Sequence, residues 1–408
     1  MPDLTYFAKS DKETTDSHRR IGTQQRNNAT TQQRNKPLYF PSLTGIRAVA
    51  AYMVFFFHVA QAATLGNDSA VNWLIVEARQ WHIGVGVFFV LSGFLITTRY
   101  AHRIEPRWSW AKRYLQNRFA RIYPIFFLLT VASFILFTKW PTSAFYAWPA
   151  YYTSIHKAGA IFFNLTLTRA FFYDIHLLGL PTAWSLTVEE CFYISAPFIL
   201  LSLRQGRLWK LALYPLLALF LGVGLVWLCG RLRLPYAPMK DLHFMFMFTY
   251  FGRCAEFVFG MALALWLQKQ TGYQAKNTYY TVLGGVGILV FTAIIAMQQG
   301  LAPLLNPESW SYTQIFANNF VLPGLVCLLF YGLLTEQSAF RRLLETKLFD
   351  LLGKSSYIFY LIHLGIFDTL FVNYVSANSW VRLVAYTLAS IALYKYIESP
   401  IHKKLRSK

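Results

Sequence analysis

Arg47 and His58 stand in one apolar run, eleven positions apart. At about 100° per residue, that separation is three helical turns plus roughly 20°, so both side chains share one helix face about 16 Å apart along the axis. Such a stripe makes one wall of a polar channel. Imidazole is the side chain best suited to take a hydroxyl proton near neutral pH. A solitary histidine in an apolar helix is often only a helix-to-helix hydrogen bond. An arginine on the same stripe doubles the burial cost and points toward a task.

A second acidic and basic set lies further along. Trp184-Ser185-Leu186-Thr187-Val188-Glu189-Glu190-Cys191 places two carboxylates about 100° apart on a helix, so at most one faces a given polar seam. Glu189 in that seam can orient the imidazole and stabilise its protonated form, or pair with Arg47 or Arg253 for neutrality alone. Arg253 and Glu256, three apart, can instead pair with each other. His363 and Asp368 either line the same cavity or knit helices together. Arg118 and Arg121, in Arg118-Phe119-Ala120-Arg121-Ile122-Tyr123-Pro124, are neighbours on one helix face. A pair of forked guanidiniums suits a phosphorylated donor such as coenzyme A. The run Gly84-Val85-Gly86 through Ser92-Gly93-Phe94 lacks the strand that a dinucleotide fingerprint needs, so its small residues are read as sites of close helix packing, with Ser92 as a minor nucleophile candidate.

Apolar helices must position these groups. Of 408 residues 55% are hydrophobic, 18% aromatic and only 14% charged, more apolar surface than a soluble domain of this size buries. The reading is an all-α polytopic transmembrane helical bundle of about ten spans, near 38–62, 82–99, 121–138, 184–203, 209–229, 249–268, 279–297, 313–334, 352–375 and 380–397. Loops on the side of the N-tail hold about 27 Lys and Arg against about 8 on the other side, which predicts both termini cytoplasmic. Arg47 then lies toward the cytosol and His58 toward the outer half. Residues 1–36, rich in Gln, Asn, Thr and basic side chains, read as a disordered tail without an apolar leader; 401–408 reads as a short basic cytoplasmic tail. The net charge of +20 is dealt out between spans rather than clustered, so no nucleic acid is expected. Cys191, Cys229, Cys254 and Cys327 show no metal-type spacing, and no metal is expected. The long outer loop near 139–183 carries Trp140, Phe145, Tyr146, Trp148, Tyr151 and Tyr152, an interfacial belt or a platform for sugar rings, and an apolar stretch at Ile161 to Phe172 that is a candidate re-entrant or interfacial segment.

Taken in order, these motifs resemble acyltransferase family 3, the O-antigen acetylase-like membrane acyltransferases, over about 37–400. The resemblance rests on Arg47 with His58, the Phe88 to Phe94 run ending Ser-Gly-Phe, the Arg118 and Arg121 pair before Ile-Tyr-Pro, Trp184 to Glu189, Arg253 with Glu256 and Gly260, and Ser356 to His363. It implies transfer of an acetyl or other acyl group from acyl-CoA to a hydroxyl of a glycan or lipid-linked saccharide, such as lipopolysaccharide, peptidoglycan or exopolysaccharide, in the bacterial inner membrane. By the same resemblance Arg47 and His58 are the catalytic pair, with Arg118 and Arg121 on acetyl-CoA. Many relatives carry an extra esterase-like domain after the spans, and the spans of this chain are expected to do the work alone or with a separate partner. A secondary transporter or flippase for a glycolipid is the alternative, disfavoured by the lack of an internal repeat or of interrupted helices at matching positions.

Overall fold

In lipid a backbone must satisfy its own hydrogen bonds, so apolar runs of this length fold as helices, and the computed structural model is helical at all ten expected places. It describes residues 39–406 except Asn67, 141–147, Gln205, Arg233, 271–278 and 300–309. Met1–Tyr39 and Phe40–Lys408 separate as two units. The expected tail over 1–36, with Phe145 and Tyr146, lies outside the described residues.

In chain order the helices are α1 (Pro41–Ala62), α2 (Ser69–Ala78), α3 (Gly84–Tyr100), α4 (Trp108–Lys139), α5 (Ser154–Leu165), α6 (Trp184–Ser202), α7 (Leu213–Leu232), α8 (Leu242–Phe248), α9 (Tyr250–Lys269), α10 (Tyr279–Gln299), α11 (Tyr312–Thr335, through a π turn at Ala317–Val321), α12 (Ala339–Leu344), α13 (Lys347–Ile362), α14 (Ile366–Tyr374), α15 (Ser379–Leu393) and α16 (Ser399–Leu405). Among the described residues, seven helical segments are long and apolar enough to cross a membrane, or eight if α13 and α14 count as one bent span. The protein is therefore an all-α, multi-pass membrane protein. The expectation of about ten spans exceeds that count at two places. Adjacent Glu189 and Glu190 lower the hydropathy of α6, and α15 has only 15 residues before it passes into the π turn Tyr394–Glu398.

The helices around the site pack closely because glycine removes the side chain at their crossings. A Cβ on Gly93 would lie 2.0 Å from the Phe257 carbonyl oxygen, and one on Gly260 1.9 Å from that of Val90, so α3 and α9 touch backbone to backbone. Next to this crossing Phe257 stacks on Phe89 at 4.7 Å and on Phe192 at 4.4 Å, which ties α6 into the same core. At the periphery α7 turns Phe220, Leu217 and Trp227 outward, each more than half exposed, as lipid-facing side chains should be.

The expected single span at 352–375 is broken. α13 ends at Ile362, Gly365 takes φ +95°, and α14 leaves at 84° to α13. Only glycine enters that region of backbone space without strain, and His363 lies at the break. In the segment between α4 and α6, Trp148, Tyr152, Phe163 and Phe172 pack with Tyr236 as a local aromatic core, while Trp140 and Tyr151 stay exposed. Within the stretch Ile161 to Phe172, Arg169 is fully buried and its Nε donates to the His176 carbonyl at 2.9 Å.

Candidate active site

Helices α1, α3, α4, α6 and α13 surround a cavity lined by Arg47, Ser92, Arg118, Arg121, Glu189 and Tyr193, with Tyr357 and Tyr360 on its α13 side. Glu189 and Tyr193 are four apart on α6 and so share one face. Their side chains meet: the Tyr193 hydroxyl donates to Glu189 Oε1, and so does Ser92 Oγ from α3. The carboxylate is thereby fixed from two helices. Arg118 is only 7% exposed, with its guanidinium over the rings of Tyr100 (5.8 Å) and Tyr193 (5.7 Å) and its Nη2 donating to the Tyr100 hydroxyl at 3.4 Å. Arg47 Nε and Arg118 Nε are both buried without a hydrogen-bond partner. Tyr357 staples α13 to α4 by donating to the Ile122 carbonyl at 2.9 Å.

Three guanidiniums and one carboxylate, Glu189, line the cavity. Behind the lining, among the described residues, Glu398 from the π turn after α15 acts on Arg47 and Arg121, and Glu190 acts on Arg118. The lining itself carries more guanidiniums than carboxylates, which suits anionic or strongly polarised groups. Glu398 was not singled out by the sequence motifs. An acid at the end of an apolar run, in Tyr396-Ile397-Glu398-Ser399-Pro400, was the available signal. Tyr193 was legible through its spacing from Glu189.

His58 stands outside this cavity. Its ring lies 5.4 Å from that of His363, at 37° between planes. His363 is fully buried, and its Nδ1 lies 3.2 Å from the Phe359 carbonyl oxygen. A carbonyl only accepts, so Nδ1 carries the proton and Nε2, buried without a partner, presents a lone pair. Tyr360 joins the two regions: it lines the cavity, its ring lies 5.8 Å from His363, and its hydroxyl is held by Ser185 Oγ at 2.9 Å. The structure thus brings Arg47, Arg118, Arg121 and Glu189 together and sets His58 with His363 beyond Tyr360.

The structure specifies three further details. Glu189 is held by Ser92 and Tyr193 and makes no hydrogen bond to His58, so direct orientation of that imidazole by Glu189 is replaced by the His363 contact. Arg118 is an interior residue because its aliphatic stem and guanidinium pack between two tyrosines. Asp368 knits helices: it accepts from Arg382 at 2.9 and 2.8 Å and from Tyr386 at 2.5 Å. The pairing of Arg253 with Glu256 is as expected, bidentate at 2.6 and 2.8 Å.

A fully helical membrane scaffold with a buried cationic cavity and a histidine pair defines the class, and the sequence profile described as Acyltransferase domain matches residues 40–394. The chain belongs to that family, acyltransferase family 3. It is similar to the peptidoglycan O-acetyltransferase OatA of Listeria monocytogenes, 26% identical over 390 residues, 90% of this chain and 56% of that protein. A putative O-acetyltransferase of Staphylococcus aureus strain COL is 24% identical over 385 residues, 90% of this chain and 58% of its own. The acyltransferase MdmB of Streptomyces mycarofaciens is 27% identical over 339 residues, 79% and 78% of the two chains. The chain thus spans little more than half the length of the first two relatives. No solved structure matches it.

Proposed function

We propose that this protein is an integral-membrane O-acyltransferase of the bacterial inner membrane that moves an acetyl group from cytosolic acetyl-CoA to a hydroxyl of a cell-surface or lipid-linked glycan. One observation carries the reading: Arg47, Arg118 and Arg121 converge on a cavity that shares Tyr360 with the His58 and His363 pair. The names of the relatives, O-acetyltransferases among them, support the same class.

In this mechanism the arm of the donor lies in the cationic cavity, held by Arg47, Arg118 and Arg121, and its thioester reaches past Tyr360 to His58, where the acceptor hydroxyl approaches. His58 takes the hydroxyl proton as the oxygen forms its bond to the acyl carbon. The carbon–sulfur bond then breaks, and the thiolate leaves with the proton that His58 returns. His363, whose ring packs against that of His58, holds the imidazole in place. Glu189, held by Ser92 and Tyr193, positions the guanidiniums rather than the imidazole.

The test is His58→Ala, assayed with acetyl-CoA in isolated membranes alongside mass spectrometry of surface glycans. Transfer should fall by roughly 10² to 10⁴, the usual contribution of a general base. Membrane abundance should hold, because deleting an imidazole lowers the cost of inserting α1. An active variant at normal abundance would remove His58 from catalysis and move the glycolipid transporter reading to first place.

A further inference from the structure

A second, more open cavity lies between the end of α3 and the start of α4, and four arginines line it: Arg99, Arg103, Arg113 and Arg406. Its other wall is aromatic. Trp110 and Tyr114, one turn apart on α4, stack at 5.3 Å with their planes 8° apart, and Tyr100 meets them edge-on at 5.8 and 5.0 Å. Tyr100 also accepts the hydrogen bond from Arg118, which lines the inner cavity. The two cavities therefore share the Tyr100 and Arg118 wall.

We propose that this outer cavity is the binding site for the nucleotide end of the acyl donor, a purine nucleoside phosphate. The inference rests on the acyl-transfer reading above and deepens it. Forked guanidiniums match phosphate oxygens in pairs, and aromatic side chains stack on a nucleobase through its π-face. The acyl-bearing arm of the donor then runs past Tyr100 and Arg118 to the inner cavity, where Arg47 and Glu189 stand. Arg118 and Arg121 thus serve the reacting end of the donor, and its phosphates fall to the exposed arginines outside. An anionic lipid headgroup shares the phosphate chemistry but has no base for the aromatic wall. Binding energy from a remote nucleotide positions the thioester without touching the chemistry.

The experiment uses the full chain in lipid nanodiscs, with adenosine 3′,5′-bisphosphate as the calorimetric probe and acetyl-CoA against acetyl-pantetheine as donors. Arg103→Gln with Arg113→Gln alters two exposed side chains and leaves the fold in place. The double variant should weaken the bisphosphate at least tenfold, Trp110→Ala should weaken it as well, and the KM advantage of acetyl-CoA over acetyl-pantetheine should shrink by a similar factor. Wild-type protein that does not bind the bisphosphate, or a double variant with unchanged affinity, overturns the proposal. So does native mass spectrometry in which the double variant loses a bound anionic phospholipid while its nucleotide affinity stands, since the cavity is then a headgroup site. If the bisphosphate binds through Arg103 and Arg113 but the wild type transfers no acyl group, the site is upheld and the acyl-transfer reading fails.

Discussion

Arg118 separates scaffold from ligand handling. With its guanidinium between two tyrosine rings and one hydrogen bond to Tyr100, Arg118→Ala removes a cation–π contact and a charge-assisted bond and leaves a space between α4 and α6. The expected loss is about 1–3 kcal/mol of stability, read as a lower unfolding temperature in detergent. Arg121, only half-buried, should behave differently: Arg121→Ala should keep the wild-type unfolding temperature and raise the KM for acetyl-CoA. Equal melting shifts in the two variants would contradict this division. Spacing alone made the two arginines look equivalent, since both lie on one face of α4. What distinguishes them is Tyr193 arriving from α6, which is a tertiary fact.

At the level of helices, the crossing of α3 and α9 sets the distance between Ser92 and Glu189, because Ser92 precedes Gly93 at the contact. Gly260→Ala would place a methyl group 1.9 Å from the Val90 carbonyl oxygen, backbone against backbone with no side chain free to yield. We expect low membrane abundance, or an inactive protein with a lowered unfolding temperature, measured by fluorescence-detected size exclusion. Gly285→Ala on α10 is the contrast. Nothing lies within 4 Å of its added Cβ, and alanine in a helix is better than glycine by roughly 0.5–1 kcal/mol, so stability should be unchanged or slightly higher. If Gly285→Ala proved as damaging as Gly260→Ala, close packing would not be the reason that Gly260 is needed. The small-residue run on α3 was legible as a packing surface, but its partner was not.

For the whole molecule, the charge asymmetry between loops sets the orientation to be tested. A reporter fused after Arg406 and a single cysteine at Ser69 should map to opposite faces, cytosolic and outer, because α1 crosses between a basic tail and a weakly charged loop. Labelling of that cysteine from the cytosolic side would reverse the assignment of His58 to the outer half and of the arginine-lined cavity to the cytosolic face. The same orientation places the nucleotide cavity where cytosolic acyl-CoA is available and His58 where an exported acceptor would arrive.

Composition and hydropathy were enough to establish an all-α membrane bundle, since uninterrupted apolar runs of about 20 residues cross a bilayer as helices, whereas a closed β-barrel needs short strands that alternate. The ordered motifs were enough to place the chain in its family. Arg47 and Glu189 were recognisable because a charge inside an apolar run is expensive and marks itself, and Arg118 and Arg121 because two guanidiniums three apart share one helix face. Which of them meet was decided by tertiary structure alone. Helical periodicity relates residues along one element, so Arg47 and His58 appeared as two ends of one channel. Between the cavity that holds Arg47 and the histidine pair stands Tyr360, supplied by a segment some 300 positions later in the chain. That distant segment turns His363, rather than Glu189, toward His58, and it divides one expected channel into a cationic cavity and a histidine pair.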